Sequence, residues 1–413
     1  MCSVKDCDNS NFDNEDRCSL HCKKSEKNGW YKIDEKQEKV WDEPKLELFW
    51  EQIQNTIHDI DRINSDMENL NNPILSKIKY NYNFIKVIFP EGKHINKGYF
   101  FDLNESIDIG FNKCIFLGST NFSLISKSNN IIFNHCVFFE NIEFRNMDFK
   151  GLFLFQKCRV CKDIEFRNII FADTSSFIKS KFYKNLYFIH SRFDNLALFN
   201  EIKAEELNFD NTFFKEEANF LDMTVNVANR ETARIIKNAF EGQNNIIEAN
   251  KYYTKEMQER EKELKILESP LEWLVFKVHG ITSNHSQDWF LVLLWIVNIT
   301  IVYSFFKSFD RDVFIGTLLL GTLSFCIMFY MCKDIGVDKY KNLIISSLVF
   351  ILLLINCKVL NNIKCNDAVT NFNPYSIMTV NDPLTFGLLI YKIVITYLIY
   401  QFIISIRQNT RRK

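Results

Sequence analysis

The sequence predicts a four-sided β-solenoid joined through helices to an apolar, membrane-spanning C-terminal domain. Three observations support this fold class. Phenylalanines in the stretch "FRNIIFADTSSFIKSKFYKNLYFIHSRF" follow one another with gaps of five, six, five, six and five residues, and the pattern returns every 22 residues. Long apolar runs dominate the chain from Trp289 onward. A fixed period of this length is typical of a solenoid, and long apolar runs suit lipid better than water.

Length, charge and the N-terminal segment limit the functional classes. The 413 residues allow two or three domains, and 51 acidic residues nearly balance 50 basic ones, so no net field points to nucleic acid or to an acidic substrate. The start, "MCSVKDCDNSNFDNEDRC", has neither the basic nor the apolar region of a secretory signal. We therefore expect a cytoplasmic N-terminal half, with cysteines that are reduced or metal-bound.

The phenylalanines form columns of residues 22 apart. Of the 40 phenylalanines, 23 lie between Phe100 and Phe220, and after Phe199 the step between repeats shortens to 21. An α-helix would rotate by about 140° over five residues, so it could not keep these rings on one stripe. Val160 replaces one ring. The predicted solenoid core is Phe111, Phe116, Phe122, Phe133, Phe138, Phe144, Phe149, Phe155, Phe166, Phe171, Phe177, Phe182, Phe188, Phe193, Phe199, Phe209, Phe214 and Phe220.

A second inward position lies two residues before each ring, because side chains alternate across an extended backbone. No charged residue occupies this position between Ile131 and Ala218. Cys114, Cys136 and Cys158 fall on it. They are interpreted as small core residues rather than as a metal-binding ladder.

This pattern resembles the pentapeptide-repeat proteins, as "NIEFRNMDF" and "HSRFDNLALF" illustrate. The resemblance implies a right-handed quadrilateral β-helix of about five coils over residues 107–222, with about 22 residues per coil. The alternating six-residue side departs from the family's five-residue pattern. The resemblance implies little about function, since one fold serves many roles. Some soluble relatives mimic DNA, but the mixed surface charge and the apolar C-terminal half disfavour that role here.

The first 30 residues contain the spacing C-x4-C-x10-C-x2-H-C, formed by Cys2, Cys7, Cys18, His21 and Cys22. Thiolates and imidazole in a short polar segment favour a structural zinc site, which can fold a segment too small for its own core. We expect the first three cysteines and either His21 or Cys22 as ligands. The alternative is a flexible segment without metal. Four protein ligands would leave no position for catalysis.

Residues 31–106 are predicted to lead into the solenoid. The spacing of apolar residues from Pro44 to Asn71 predicts an amphipathic helix, and "YNYNFIKVIF" predicts a strand that covers the first coil. After the solenoid, residues 227–285 are expected to form a helical linker broken near Gly242. Its last part, "ESPLEWLVFKVHGI", is expected to be an interfacial helix with Trp273 and Phe276 on one side. His279 and His285 are interpreted as solvated.

Residues 286–413 are predicted to form a four-helix transmembrane domain, with spans at 289–306, 313–332, 342–360 and 384–405. Basic residues in the second loop and in the tail place both termini in the cytoplasm. Asn298, Lys392 and Gln401 are the polar residues inside the spans. Lys392 is either a functional group or a side chain that reaches out to the interface or pairs with another span. No selectivity-filter motif precedes the last span.

The expected function is non-enzymatic, because no phosphate-binding glycine loop, nucleophile elbow or H-E-x-x-H motif occurs in the sequence. We expect a multi-pass protein of the bacterial inner membrane that acts as a scaffold for an unidentified protein partner. The lipid bilayer and an unidentified protein are the expected partners, a homo-oligomer is an open alternative, and no nucleic acid partner is expected. The alternative is a subunit of an ion channel or transporter, whose spans form an oligomeric pore regulated by the solenoid.

Overall fold

The computed structural model describes residues 2–4, 7, 9, 11–12, 16–35, 39–68, 81–91, 108–122, 130–307 and 386–410. The chain forms two compact units, Met1–Asn245 and Ile246–Lys413. The helices among the described residues are α1 (Glu43–Glu68) and α2 (Arg230–Gly242) in the first unit, and α3 (Ile246–Glu263), α4 (Pro270–Ser283), α5 (Trp289–Lys307) and α6 (Phe386–Thr410) in the second.

The strands of the described residues all belong to the first unit. An antiparallel pair precedes α1, formed by β1 (Tyr31–Ile33) and β2 (Lys39–Trp41). The solenoid strands are β3 (Tyr82–Ile85), β4 (Ile88–Phe89), β5 (Ile109–Asn112), β6 (Ile115–Phe116), β7 (Thr120–Asn121), β8 (Ile131–Asn134), β9 (Val137–Phe138), β10 (Ile142–Phe149), β11 (Phe153–Gln156), β12 (Arg159–Val160), β13 (Ile164–Phe171), β14 (Ser175–Ser176), β15 (Lys181–Phe182), β16 (Leu186–Ile189), β17 (Arg192–Phe193), β18 (Ala197–Leu198), β19 (Lys203–Asn208), β20 (Phe213–Phe214), β21 (Ala218–Asn219) and β22 (Thr224–Val227).

Strand register confirms the predicted β-solenoid of about five turns. Parallel neighbours lie 22 residues apart, as where Phe144 faces Phe166, and the offset falls to 21 where Phe193 faces Phe214. The strands β3 and β4 pair with β5 and β6, so the extended segment before the solenoid does cover its first coil.

The phenylalanine rings stack in columns through the centre of the solenoid. Phe144 and Phe166 have ring centroids 4.8 Å apart and planes inclined by 3°, and Phe166 and Phe188 repeat this geometry at 4.8 Å and 6°. Neighbouring strands are themselves about 4.8 Å apart, so ring stacking and backbone pairing favour the same spacing. Of the eighteen predicted core rings, all but the half-buried Phe214 are buried.

The second inward position holds hydrogen-bond donors as well as small apolar groups. The Cys136 thiol donates to the Phe111 carbonyl at 3.2 Å, and the Ser180 hydroxyl donates to the Phe155 carbonyl at 2.7 Å. Burial raises the pKa of the Cys158 thiol well above its ordinary value, which keeps it a neutral donor. The cysteines on this position therefore link each coil to the preceding one, in addition to filling space.

Left-handed residues explain why five- and six-residue steps alternate. Each described five-residue step that begins at a phenylalanine ring contains a residue with φ between 50° and 59°, placed two positions after that ring, and within the described coils no six-residue step contains one. The left-handed conformation completes the corner with one residue fewer, so the alternation is compatible with a regular coil. Asn and His, which tolerate this conformation, are frequent there. These corner residues are Lys86, Lys113, His135, Asn146, Lys157, Asn168, Lys179, His190, Glu201, Asn211 and Asp222.

One irregularity in the ring columns involves Val160. Its column would place a ring between Phe138 and Phe182, and the Phe155 ring fills that space instead. Phe155 stacks on Phe138 at 5.5 Å and on Phe182 at 6.0 Å, while it is tilted by 54° from Phe133 in its own column. A smaller residue in one column is thus compensated by a ring from the next.

Phe153 occupies the space that Phe155 vacates. It lies at the second inward position, where other coils carry smaller residues, and it is fully buried. Its ring centroid is 4.7 Å from that of Phe149 and 5.8 Å from those of Phe144 and Phe166. The sequence pattern places no ring at this position, because the exchange between Phe153 and Val160 depends on how two neighbouring sides of the coil pack.

Helices close both ends of the solenoid. At the first coil, Phe49 and Trp50 of α1 pack on Phe89 with centroids 5.8 and 6.3 Å apart. At the last coil, the Thr232 hydroxyl of α2 accepts a hydrogen bond from the Phe209 amide at 2.8 Å, and Ala233, Ile236 and Phe240 are buried. Covering the terminal coils protects strand edges that could otherwise pair with other chains.

The second unit is built around the packing of α5 on α6. Leu291, Trp295 and Ile296 of α5 meet Tyr391 and Ile395 of α6 in a buried apolar cluster. Helix α4 contacts both of these helices, and α3 contacts α4 and α6. The helix break expected near Gly242 is present, since α2 ends at that residue.

The transmembrane prediction is supported only in part. Among the residues that the structure describes, one helix, α6, is long and apolar enough to cross a membrane, and Trp289–Thr300 of α5 forms a shorter apolar stretch. A buried helix of a water-soluble protein can satisfy the same criterion. The predicted spans 313–332 and 342–360 lie outside the described residues. The expected four-helix, multi-pass arrangement is therefore not shown.

We expect Lys157→Val to destabilise the solenoid by about 1–2 kcal/mol, because a β-branched residue is strained at a φ of 54°. The matched control is Arg159→Val in the same coil, which removes the same charge from an exposed strand position and should be nearly neutral. Thermal unfolding followed by circular dichroism measures both. Equal losses would show that the corner does not require a left-handed residue.

A double-mutant cycle tests the exchange between Phe153 and Val160. Val160→Phe alone should overpack the core and cost about 1–3 kcal/mol, and Phe153→Ala alone should leave a cavity that costs about 3–5 kcal/mol. Together, the two changes allow Phe155 to return to its own column, so the combined loss should be smaller than the sum by about 0.5–3 kcal/mol. Strict additivity of the unfolding free energies would contradict this packing.

Candidate metal centre

Four side chains near the N-terminus converge on one point. The Sγ atoms of Cys2, Cys7 and Cys18 and a ring nitrogen of His21 all lie within 4.8 Å of one another. Residues 18–22 form a turn in which the His21 and Cys22 amides donate to the Cys18 carbonyl at 3.1 and 2.9 Å. This turn places Cys18 and His21, three residues apart, on the same side.

The distances suit a tetrahedral metal ion. The Sγ atoms of Cys7 and Cys18 are 3.7 Å apart, and Nδ1 of His21 lies 3.5 Å from Cys2 Sγ and 3.1 Å from Cys18 Sγ. Zinc bond lengths predict edges of about 3.8 Å between two sulfurs and about 3.5 Å between sulfur and nitrogen. Three thiolates and one imidazole are a frequent structural zinc set, and they fill all four positions.

The structure distinguishes between the two candidates for the fourth ligand. His21 directs Nδ1 toward the sulfur atoms, whereas Cys22 directs its Sγ toward the Ser19 carbonyl, 3.6 Å away. Cys22 is not part of the cluster formed by Cys2, Cys7, Cys18 and His21. His21 is therefore the candidate fourth ligand, and the buried Cys22 belongs to the surrounding core.

The cluster is tied to the first coil of the solenoid. Nε2 of His21 lies 3.1 Å from the carbonyl of Ile85, the last residue of β3, and the Ile88 amide donates to the Leu20 carbonyl at 2.9 Å. A hydrogen bond from the second ring nitrogen holds a metal-binding histidine in one tautomer and orientation. The metal-binding turn thus covers the first coil together with α1.

Protonation of the cluster competes with metal. Burial raises the pKa of the Cys7 thiol to about 12, so a bound cation must displace a proton from it. Zinc thiolate sites release protons on binding for this reason, and their affinity falls as pH decreases.

Lys24, a residue that the sequence analysis did not single out, supports this turn from inside. Its ammonium group donates to the carbonyls of Leu20 and Cys22 at 3.2 and 3.3 Å, and it lies 4.7 Å from the Trp30 ring centroid and 4.9 Å from that of Phe49. Burial lowers the pKa of Lys24 to about 8. A lysine satisfies the turn's carbonyls here, and no local sequence pattern predicts that role.

The intramembrane polar residues predicted from the sequence are all buried in the second unit. Asn298 donates to the Leu294 carbonyl at 2.8 Å, and Lys392 is 3% exposed. The Gln401 carbonyl oxygen is the centre of a polar cluster, since it accepts from the Ser286 hydroxyl at 3.0 Å and lies 3.1 Å from Nε2 of His279.

The interpretation of His279 and His285 as solvated was wrong. His285 is 1% exposed, with Nε2 3.3 Å from the Glu261 carboxylate, and the half-buried His279 contacts Gln401. Gly280 permits this packing, because a Cβ atom there would lie 2.8 Å from the Glu261 carboxylate. The approach of α3 to α4, which the sequence pattern did not reveal, buries these side chains.

Comparisons of the chain with models of known protein families, with curated proteins and with solved structures find no match. The β-solenoid is consistent with the pentapeptide-repeat fold, and the evidence for it is the geometry of this chain.

We expect the full chain to bind one zinc ion, and Cys18→Ser to abolish binding, because it removes a buried ligand of the cluster. Cys22→Ser is the matched control: it changes a neighbouring buried cysteine but should retain the metal. Metal content by elemental analysis and the charge-transfer absorption of the cobalt-substituted protein measure both. Zinc retained by Cys18→Ser, or lost equally in both variants, would contradict the assignment.

Proposed function

We propose that this protein is a membrane-anchored scaffold, which presents the sides of a metal-stabilised, capped solenoid to another protein. In this proposal the membrane is the bacterial inner membrane, and both termini are cytoplasmic. The solenoid supports a scaffold role because α1, α2 and the N-terminal cluster close its ends, which leaves its sides as the accessible surfaces. The arrangement of side chains on α6 supports the proposal that the protein is anchored in a membrane.

On helix α6, polar side chains are buried against the other helices and large apolar side chains are exposed. Lys392, Gln401 and Ser405 are buried, whereas Ile393 and Ile403 are each 59% exposed. A helix of a water-soluble protein has the opposite arrangement, with its polar face in solvent. Other large apolar side chains exposed along α6 are Phe386, Ile390, Tyr400 and Ile406. This arrangement supports lipid as the surrounding medium.

The length of α6 also suits a bilayer. From Phe386 to Arg407 the helix rises by about 31 Å, against a hydrocarbon thickness of about 30 Å. Arg407 follows the last large apolar residues and would reach the headgroup region at that end. Gln401 lies about 9 Å below the level of Arg407 along the helix.

We also propose that helix α4 lies in the membrane interface. Leu271, Leu274, Val275 and Val278 occupy positions i, i+3, i+4 and i+7, and all four are exposed, from 38% to 77%. The opposite side of α4 reaches Gln401 through His279. Gln401 lies about 9 Å deeper along α6 than Arg407, which we place at the headgroup region. This depth agrees with the insertion depth of about 5–10 Å for interfacial helices.

The face of α4 that we assign to lipid differs from the predicted one. Trp273 and Phe276, expected to form the membrane-facing side, are half-buried. The apolar residues of this helix surround much of its circumference, so their spacing does not identify the side that packs on α5 and α6.

An environment-sensitive fluorescent amino acid, introduced by codon suppression into the full chain in lipid nanodiscs, tests the membrane proposal. Three apolar sites have similar exposure: Ile393 on α6 at 59%, Leu274 on α4 at 51% and Leu48 on α1 at 52%. We expect brominated lipids to quench the probe at the first two sites and not at Leu48. Water-like emission at Ile393 would reject membrane anchoring through α6. Quenching at Ile393 but not at Leu274 would support anchoring through α6 and would contradict the interfacial position of α4.

A further inference from the structure

One side of the solenoid carries a concentrated group of basic residues, which we call the basic patch. It comes from corresponding segments of two adjacent coils, "KCRVCK" (157–162) and "KSKFYK" (179–184). Arg159 and Lys181 face each other directly in the parallel register of β12 and β15. The patch consists of Lys157, Arg159, Lys162, Lys179, Lys181 and Lys184, all of which are exposed.

Four of the six cations have no carboxylate partner among the described residues. Lys179 pairs with Glu201 at 3.3 Å, and Lys184 pairs with Glu205 at 2.9 Å. Within the part of the chain that the structure describes, no carboxylate oxygen lies within 4.0 Å of the charged nitrogens of the others, which are Lys157, Arg159, Lys162 and Lys181. Adjacent strands are about 4.8 Å apart, so these like charges produce a local positive potential despite the nearly neutral chain.

Acidic residues limit the patch along the solenoid axis. In the preceding coil, Glu140 stands where the patch has Lys162, and in the following coil Glu201 and Glu205 stand beside Lys179 and Lys184. Lys203 faces Lys181 in that following coil, so the central column of cations continues between the two glutamates. The cations thus lie on three adjacent strands, of which the outer two are about 10 Å apart, and on one six-residue segment about 15–20 Å wide. A bilayer surface or a nucleic-acid duplex would extend beyond it and bring phosphates against these carboxylates. A short anionic segment would not.

Apolar side chains line one edge of the patch. Phe139, Cys161 and Tyr183 occupy equivalent positions in three successive coils, 22 residues apart. Phe139 is 43% exposed and Tyr183 is 58% exposed, while Cys161 is half-buried. A ligand that covers the cations would therefore also meet exposed aromatic side chains.

We propose that the basic patch binds a short, extended acidic segment of a partner protein, with carboxylates on Arg159 and Lys181 and an apolar side chain against Tyr183. The Arg159 guanidinium can hold a carboxylate through two parallel hydrogen bonds. Alternate residues of an extended peptide lie about 6.6 Å apart, so about five residues cross the width of the patch. This inference rests on the proposed scaffold function and names the chemistry of its partner.

The test measures fluorescence anisotropy of a labelled peptide, Glu-Asp-Glu-Leu-Glu-Asp, with the full chain in nanodiscs of zwitterionic lipid. We expect saturable binding that weakens with salt, and at least a tenfold loss of affinity in the double variant Arg159→Gln, Lys181→Gln. The matched control is Arg145→Gln, Arg167→Gln. These arginines also face each other on adjacent strands, but each pairs with a glutamate, so affinity should change less than twofold.

Several outcomes would overturn the proposal. One is no binding by the wild-type chain at millimolar peptide, and another is an equal loss in both double variants, which would indicate unspecific attraction. Tighter patch-dependent binding of a labelled oligodeoxythymidine, or of nanodiscs with anionic lipid, would show that the occupant belongs to another class. Lipid quenching at Ile393 is independent of the patch, so the anchored scaffold could stand while this inference fails.

Discussion

Stacking of phenylalanine rings at the spacing of β-strands is the interaction on which the first unit depends. Rings such as Phe144, Phe166 and Phe188 are 4.8 Å apart and nearly parallel, which is the distance that backbone hydrogen bonds between coils also require. Because both interactions share one period, each coil fixes the register of the next. No coil can bury its rings alone, so the terminal coils need partners of another kind.

The two ends meet this need in different ways. At the C-terminal end, α2 supplies a conventional apolar face with Ala233, Ile236 and Phe240. At the N-terminal end, α1 is joined by the segment that holds the Cys and His cluster. That segment is too short to form a core, and metal ligation is a way to order such a piece. Lys24 also helps to order this segment. Its ammonium group donates hydrogen bonds to carbonyls of the turn and lies over the rings of Trp30 and Phe49.

The second unit follows a different rule, because the outward side of its helix α6 is apolar. On α6 the buried side includes Lys392, Gln401 and Ser405, and the exposed side includes Ile393 and Ile403. Polar contacts then work inside the helix group, as where Gln401 connects α6 with His279 of α4 and Ser286. Such contacts are expected to orient helices in lipid, where the hydrophobic effect does not drive one helix onto another.

The repeating features were predictable from the sequence alone. Ring positions, the 22-residue period, its shortening to 21 and the small inward positions follow from local patterns that recur in every coil, and the cysteine spacing indicated a metal cluster. Tertiary structure decided what depends on distances between non-repeating parts. It selected His21 over Cys22, moved Phe155 into the space beside Val160, and buried His285 and Lys24. These outcomes depend on which surfaces meet, whereas a period in the sequence records only which surfaces are apolar.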